Sequence, residues 1–339
     1  MSATTMRAWV VERPGPIDDH PLALVDRPVP EPGGGQVRVR VVTCGVCRTD
    51  LHLAEGDLPP RRAEVTPGHE VVGIVDRAGV GADRFAEGDR VGIPWLAKTC
   101  RTCRFCTSGR ENLCVDPQFT GWDVDGGYAE YLVADQDYAY PLPDAFDDVA
   151  AAPLLCAGII GYRALRQSRC PPAGRLGIYG FGGSAHLVAQ VAIAEGMRVH
   201  VLTRAPDARR LALELGAVSA GDAFDRPPEP LDAAILFAPV GTLVPPALEA
   251  LDRGGTLAIA GIYLSDIPQL DYDRHLFRER ALRSVTANTR ADGTALLCAA
   301  AEIPVRVSAT PYPFELANDA LKDLAHDRVT GAAVLVIDR

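Results

Sequence analysis

The sequence predicts an α/β protein in two parts: a β-rich domain with a cysteine-dense lobe, and a domain built on a doubly wound parallel sheet. Three observations lead there. The first third is rich in Val, Gly and Pro and holds short strand-like runs between turn residues. Beyond about Ala150, strand-like and helical segments alternate at the spacing of βαβ units. A glycine-rich turn, Gly180-Phe181-Gly182-Gly183-Ser184-Ala185, joins the first of those strands to the helical run after it.

Each part can be justified in order. A chain of 339 residues exceeds one ordinary domain, and 47% hydrophobic against 23% charged residues supplies two cores. Val37–Val42 and Val71–Val75 read as strands, with turns at Gly56-Asp57 and Gly88-Asp89. In the second part, Leu176–Tyr179 leads through the glycine turn into a helix over Ala185–Glu195. Val199–Leu202 is the next strand, Ala205–Leu215 the next helix, and Ala233–Phe237 and Thr256–Ala260 are later strands. Pro227–Pro230 reads as a loop, and Ala333–Ile337 as a closing strand. The expected boundaries are 1–152 for the first domain with its lobe at 98–116, 153–292 for the second, and 293–339 for a return to the first.

Composition also excludes. A net charge of −10 argues against a phosphate-backbone partner, so no nucleic acid is expected. Met1–Val10 has no charged segment followed by an apolar core, so no secretory signal is expected. The most apolar stretch, Val149–Gly161, is short of the roughly 20 residues of a membrane span. A cytoplasmic protein without a membrane partner is the expectation, and clustered cysteines in a reducing compartment suggest metal before disulfides.

Cys100, Cys103, Cys106 and Cys114 give C-x2-C-x2-C-x7-C. Four thiolates so spaced can enclose one zinc ion tetrahedrally, as closed structural sites do. An iron–sulfur cluster or disulfides are the alternatives. The long last gap and a proline three residues after Cys114 fit the ferredoxin-type run poorly.

Three further segments carry chemistry: Cys44-Gly45-Val46-Cys47-Arg48-Thr49-Asp50-Leu51-His52, Gly68-His69-Glu70 and Cys156-Ala157-Gly158. With the cysteine lobe, Val124-Asp125-Gly126-Gly127-Tyr128-Ala129-Glu130-Tyr131 and the turn at Gly180, the sequence resembles the medium-chain dehydrogenase/reductase family, in its zinc alcohol dehydrogenase branch. The resemblance covers essentially the whole chain. It implies a GroES-like catalytic domain, a Rossmann-type domain, and two zinc ions per chain, one catalytic and one structural.

By the same resemblance Cys47, His69 and Cys156 hold the catalytic zinc and leave a fourth position open. Cys44 sits in the same C-x2-C pair as Cys47 and is the rival ligand. In the family the ligand directly precedes the Arg/His-Ser/Thr-Asp run, which selects Cys47 and leaves Cys44 as a buried small residue. Thr49 is implied to hydrogen-bond the substrate oxygen and to begin a proton relay, through the cofactor ribose, to His52. Asp50 is the implied carboxylate behind His69, Glu70 a transient zinc ligand, and Trp95 a pocket wall. The remaining histidines, His20, His186, His200, His275 and His326, are expected to be structural.

Gly180 allows the tight turn, and Gly182 and Gly183 let backbone amides approach a pyrophosphate at the helix N-terminus. Ala185 replaces the third glycine. Where NAD-preferring relatives end the second strand with an acid, this chain has Thr203 and Arg204, so NADP(H) is favoured, with NAD(H) the alternative. Gly331-Ala332-Ala333 lacks an arginine that relatives turn toward the diphosphate, and Arg290 is its expected substitute. Ile160 is expected against the nicotinamide. The implied activity is hydride transfer between a small alcohol or aldehyde and the cofactor, in a homo-oligomer of two or four chains. The competing functions are quinone or activated-alkene reduction, whose branches usually lack the zinc ligands, and a non-catalytic nicotinamide sensor.

Overall fold

A computed structural model describes residues 4–303, 305–329 and 331–337, and the chain falls into two compact units. One comprises the chain up to Cys156, Ala287–Ala301 and the stretch from Val307 on; the other comprises Ala157–Thr286 and Glu302–Arg306.

The first unit is organised by the long strand Gln36–Val46. Alternation puts Val37, Val39 and Val41 into the core, each almost fully buried. On the opposite face Arg38 makes a bidentate pair with Asp76 of the neighbouring strand, at 2.9 and 3.0 Å. The strand lies inside a seven-stranded sheet, in the order Ala309–Pro313, Ala332–Val336, Gln36–Val46, Val71–Ala78, Arg90–Ile93 and Tyr140–Pro141, with Tyr131–Asp135 also paired to it. Its pairing with Val71–Ala78 is antiparallel, Cys44 opposite Val71. A separate antiparallel pair, Thr5–Val11 with Leu22–Pro28, lies outside that sheet.

The second unit is a six-stranded sheet, all of whose neighbouring strands run parallel. Its spatial order is Ser219–Gly221, Arg198–Leu202, Arg175–Tyr179, Leu231–Leu236, Leu251–Ile259 and Ala281–Ser284. Numbered by sequence within the sheet this is 3-2-1-4-5-6, the doubly wound order with its crevice beside the first strand. That strand is followed by Gly180 and by a helix over Gly183–Ala194. The helix begins two residues before the expected Ala185, because Gly182 takes the extended conformation of an N-cap and frees Gly183 to start the first turn. Among the described residues, no single helix is long and apolar enough to cross a membrane.

Candidate active site

The antiparallel register of the first unit brings two loops to one end of its sheet. With Cys44 opposite Val71, the chain leaves the sheet toward Cys47 on one strand and enters it just after His69 and Glu70 on the other. Cys47, in extended conformation, is the N-cap of the helix Arg48–Glu55. Asp50 in the first turn folds back and accepts the Cys47 N–H on Oδ2 at 2.9 Å. Its Oδ1 accepts the Gly68 N–H at 3.0 Å and faces His69 Nδ1 at 3.1 Å. One carboxylate, only 2% exposed, therefore ties both loops together.

Cys156 arrives from a third direction, after the 3-10 turn Ala152–Leu155. Donor atoms of Cys47, His69, Glu70 and Cys156 all lie within 4.8 Å of one another. His69 Nε2 is buried and has no hydrogen-bond partner, while Asp50 occupies its Nδ1. A buried imidazole nitrogen is rarely left so, and here its lone pair points where a cation would be held. Two sulfurs and a nitrogen form the donor set that suits zinc, so these residues fit that metal.

The electrostatics agree. The Cys47 thiol is shifted well below its ordinary range, first by a hydrogen bond from Cys156 and despite burial, while Cys156 is shifted well up by the same pairing. Burial disfavours charge on His69, yet the Asp50 carboxylate and the Cys47 sulfur beside it together outweigh burial and shift the ring well above its ordinary value. Burial also raises Glu70 well above the usual carboxylate range. Gly45 makes room for Glu70, since a Cβ there would overlap its carboxylate. Cys44 is fully buried outside this group, its sulfur turned to the Gly45 carbonyl and its thiol raised by burial.

Thr49 is half-buried, its Oγ1 3.9 Å from Cys47 Sγ. His52 lies one helical turn along the same face, with Nδ1 3.1 Å from Asp57 Oδ2. Trp95 meets His69 edge-on at 5.0 Å between ring centroids. It also stacks on Phe119 and Trp122, at 4.8 and 6.0 Å. Sequence reasoning missed Phe119, which no local pattern marks, and gave Asp57 only as a turn residue.

The four lobe cysteines also come together. Sulfur separations of 3.5 Å for Cys100–Cys114, 3.6 Å for Cys103–Cys106 and 3.9 Å for Cys100–Cys106 are far beyond a disulfide. They match the edge of roughly 3.8 Å that a tetrahedron with zinc–sulfur bonds of about 2.3 Å would have. Backbone N–H groups of Cys100 and Asp116 point at Cys114 Sγ, and that of Cys103 at Cys100 Sγ. Such donors favour the thiolate; the backbone groups of Cys106 and Val115 lower Cys103 to about 6, while burial raises Cys114 to about 11 despite the two N–H groups aimed at it. Glu111, buried within the lobe, accepts both the Arg290 N–H at 3.0 Å and its Nε–H at 3.3 Å. Through these contacts Arg290, whose guanidinium also covers the Tyr138 ring, fastens the lobe to the helix Arg290–Glu302.

In the second unit Gly180 has φ 85°, and a Cβ there would press on the Ala238 backbone at 2.9 Å, so only glycine fits. A Cβ on Gly182 would meet nothing, which leaves open space before the first amides of the helix Gly183–Ala194. Ile160 is half-buried on the helix Ala157–Ser168. Thr203 is buried at the end of its strand, and Arg204 is exposed. Arg209 reaches the Thr203 carbonyl at 3.4 Å and Asp222 at 3.2 Å.

Comparison with known proteins gives a consistent picture. Residues 33–144 match the alcohol dehydrogenase GroES-like domain. The chain is 58% identical to a probable alcohol dehydrogenase, AdhA, of Mycobacterium tuberculosis (strain CDC 1551 / Oshkosh), covering 99% of each chain. Among solved structures, a cinnamyl alcohol dehydrogenase from Sorghum bicolor superposes with a TM-score of 0.87 at 29% identity, over 98% of this chain and 97% of the other. A putative zinc-binding dehydrogenase from Sinorhizobium meliloti 1021, bound to NADP, gives 0.84 at 26% identity, over 99% and 100%.

Proposed function

The chain belongs to the medium-chain dehydrogenase/reductase family, in its alcohol dehydrogenase branch, and we propose that it is a zinc-dependent alcohol dehydrogenase and aldehyde reductase that uses NADP(H). The observation that carries this is the buried donor set of Cys47, His69 and Cys156, with His69 Nε2 otherwise unpartnered. Zinc bound there would supply Lewis-acid polarisation of the substrate oxygen, and nicotinamide would supply the hydride chemistry.

The chain's own groups then have distinct work. Asp50 holds Cys47 and His69 at fixed positions and keeps the His69 proton on Nδ1. The Thr49 hydroxyl, beside Cys47, orients the substrate oxygen and carries away its proton. His52, one turn further along the helix, is the acceptor that this relay would reach through the cofactor ribose on the way to solvent. Glu70, buried and close to the sulfurs, is the group that exchanges with other ligands. Trp95 forms a rigid apolar wall beside His69, and its stacked neighbours keep it in place.

The second unit is the dinucleotide-binding unit in this reading, with Gly180, Gly182 and Gly183 at the diphosphate and Ile160 at the nicotinamide. Preference for NADP(H) is supported by the absence of an acid at Thr203 and Arg204. Arg204 is exposed there, and Arg209 is paired with Asp222. A lobe zinc, a homo-oligomeric state and a cytoplasmic setting complete the proposal.

A panel of aliphatic and benzylic alcohols and aldehydes, assayed with NADPH and NADH, tests it. The expected result is turnover with both cofactors and a higher kcat/KM with the phosphorylated one. Thr203→Asp should move the ratio toward NADH by repelling the 2′-phosphate. A wild-type preference for NADH of about tenfold, roughly 1.4 kcal/mol, would overturn the cofactor assignment.

A further inference from the structure

The helix Arg48–Glu55 ends in a turn that bears on how His52 works. Gly56 takes a left-handed conformation, φ 93° and ψ 1°, which a side chain would strain. The N–H groups of Gly56 and of Leu58 both donate to the His52 carbonyl, each at 3.0 Å. Asp57, between those two anchored residues, is therefore held on backbone fixed to the residue that bears the imidazole. Its Oδ2 lies 3.1 Å from His52 Nδ1. The imidazole side chain is 23% exposed and the carboxylate 61%, so the pair runs from a sheltered ring to open solvent.

We propose that Asp57 is a positioning residue for proton transfer through His52. By accepting the Nδ1–H it fixes the tautomer whose lone pair is on Nε2, and it does so from a turn whose backbone is bonded to the His52 carbonyl. The inference rests on the reading of His52 as the outward proton acceptor. In the alcohol-oxidation direction Nε2 takes the proton released by the substrate hydroxyl. The ring then carries a proton on each nitrogen, is stabilised by the Asp57 carboxylate, and gives one proton to solvent water. In aldehyde reduction the same steps run backwards. Nothing in the helix pattern of the sequence requires an acid at this position. The carboxylate matters here because an imidazole with no fixed partner divides its proton between the two nitrogens.

The other charged groups near this helix are engaged elsewhere. Arg48 pairs with Asp327 at 2.6 Å, Asp50 with His69, and Glu55 accepts the Ile17 N–H at 3.3 Å. Asp18, on the adjoining 3-10 turn Ile17–Asp19, is shared by Lys322 and His326.

The experiment uses the zinc-loaded full-length enzyme, oxidising benzyl alcohol and ethanol with NADP+. His52→Ala is expected to slow kcat by about tenfold or more, the scale of a lost proton-transfer group. Asp57→Ala should slow kcat by about three- to tenfold with KM little changed, because the pair is partly solvated. Asp57→Asn, which keeps an acceptor oxygen, should fall between it and wild type. Asp57→Glu should recover most of the rate, and added imidazole should partly rescue both Ala variants. Nitrogen NMR of ¹⁵N-histidine-labelled protein should show His52 as the Nδ1–H tautomer in wild type and as a tautomer mixture in Asp57→Ala. An intact rate and tautomer in Asp57→Ala and Asp57→Asn, with His52→Ala slow, would overturn the role of Asp57 and leave His52 in place. An unimpaired His52→Ala would overturn both.

Discussion

Replacing Asp50 by Asn isolates the contribution of the carboxylate that joins the two ligand loops. Each oxygen has its own work: Oδ2 accepts the Cys47 N–H, while Oδ1 accepts from Gly68 and faces His69 Nδ1. An asparagine must set its NH2 against one side or the other. Turned toward Gly68 and His69 it loses two contacts, and it could keep His69 only by pushing that ring's proton onto Nε2, the atom wanted for metal. Turned toward Cys47 it loses one contact and leaves a buried N–H unpaired, at about 1–3 kcal/mol. That orientation should win. The lost charge also makes His69 a poorer donor. Removal of a partner behind a metal-bound histidine typically lowers affinity about 10- to 100-fold, or roughly 1.4–2.7 kcal/mol. The assay is zinc retention against a graded chelator, with the four-cysteine lobe as the internal reference. Asp50→Asn should release one zinc at about 10- to 100-fold lower chelator while the lobe zinc follows wild type. If both ions leave as in wild type, Asp50 does not organise the site.

Three further outcomes follow from the same geometry. Cys47→Ala should abolish turnover and lower zinc content by one ion per chain with the fold intact, whereas Cys44→Ala should leave both unchanged; metal analysis that reverses these results would exchange the ligand assignment. Gly45→Ala places a Cβ on the Glu70 carboxylate, so chelator titration should show the catalytic zinc weakened and the lobe zinc unaffected, and equal retention at both sites would contradict the packing. Glu111→Gln removes the charge that receives Arg290, so the lobe should lose its zinc faster on heating while the catalytic ion is released at the wild-type rate; an unchanged lobe rate would show that the contact holds nothing.

Much of the fold could be read in the sequence where spacing and geometry are nearly the same thing. Alternating valines in Gln36–Val46 and the glycine turn after Arg175–Tyr179 are local patterns with local causes, and the structure has both elements. The short edge strand Ala281–Ser284 escaped notice because its alternation is weak and its burial slight. Glycine-rich starts are also hard to place: Gly182 and Gly183 carry no helical signal of their own, so the expected helix began late. At the candidate site the family pattern pointed to residue types that converge, but it could not point to what supports them. Glu111 reaches Arg290 across 179 positions of sequence, and such a pair leaves no local trace. Phe119 joins the Trp95 stack for the same reason.

The helix Arg48–Glu55 shows why support and chemistry are hard to separate in this molecule. Eight residues are too few to form a stable helix alone. Its start is held by Asp50, which caps the first turn through the Cys47 N–H and reaches Gly68 and His69 on the other loop. Its end is held by left-handed Gly56 and by the bonds that return from Gly56 and Leu58 to the His52 carbonyl. The groups proposed for chemistry, Cys47, Thr49 and His52, sit along the span between those anchors. A substitution at either anchor should therefore move the reactive groups before it unfolds the domain, because the core behind the helix, including Leu51, Leu53 and Ala54, stays packed. A substitution of exposed Arg48 should do neither, since its partner Asp327 is 84% exposed and such a surface pair contributes little. The same short segment thus offers positions where activity and stability part company, and the anchors are where they should part first.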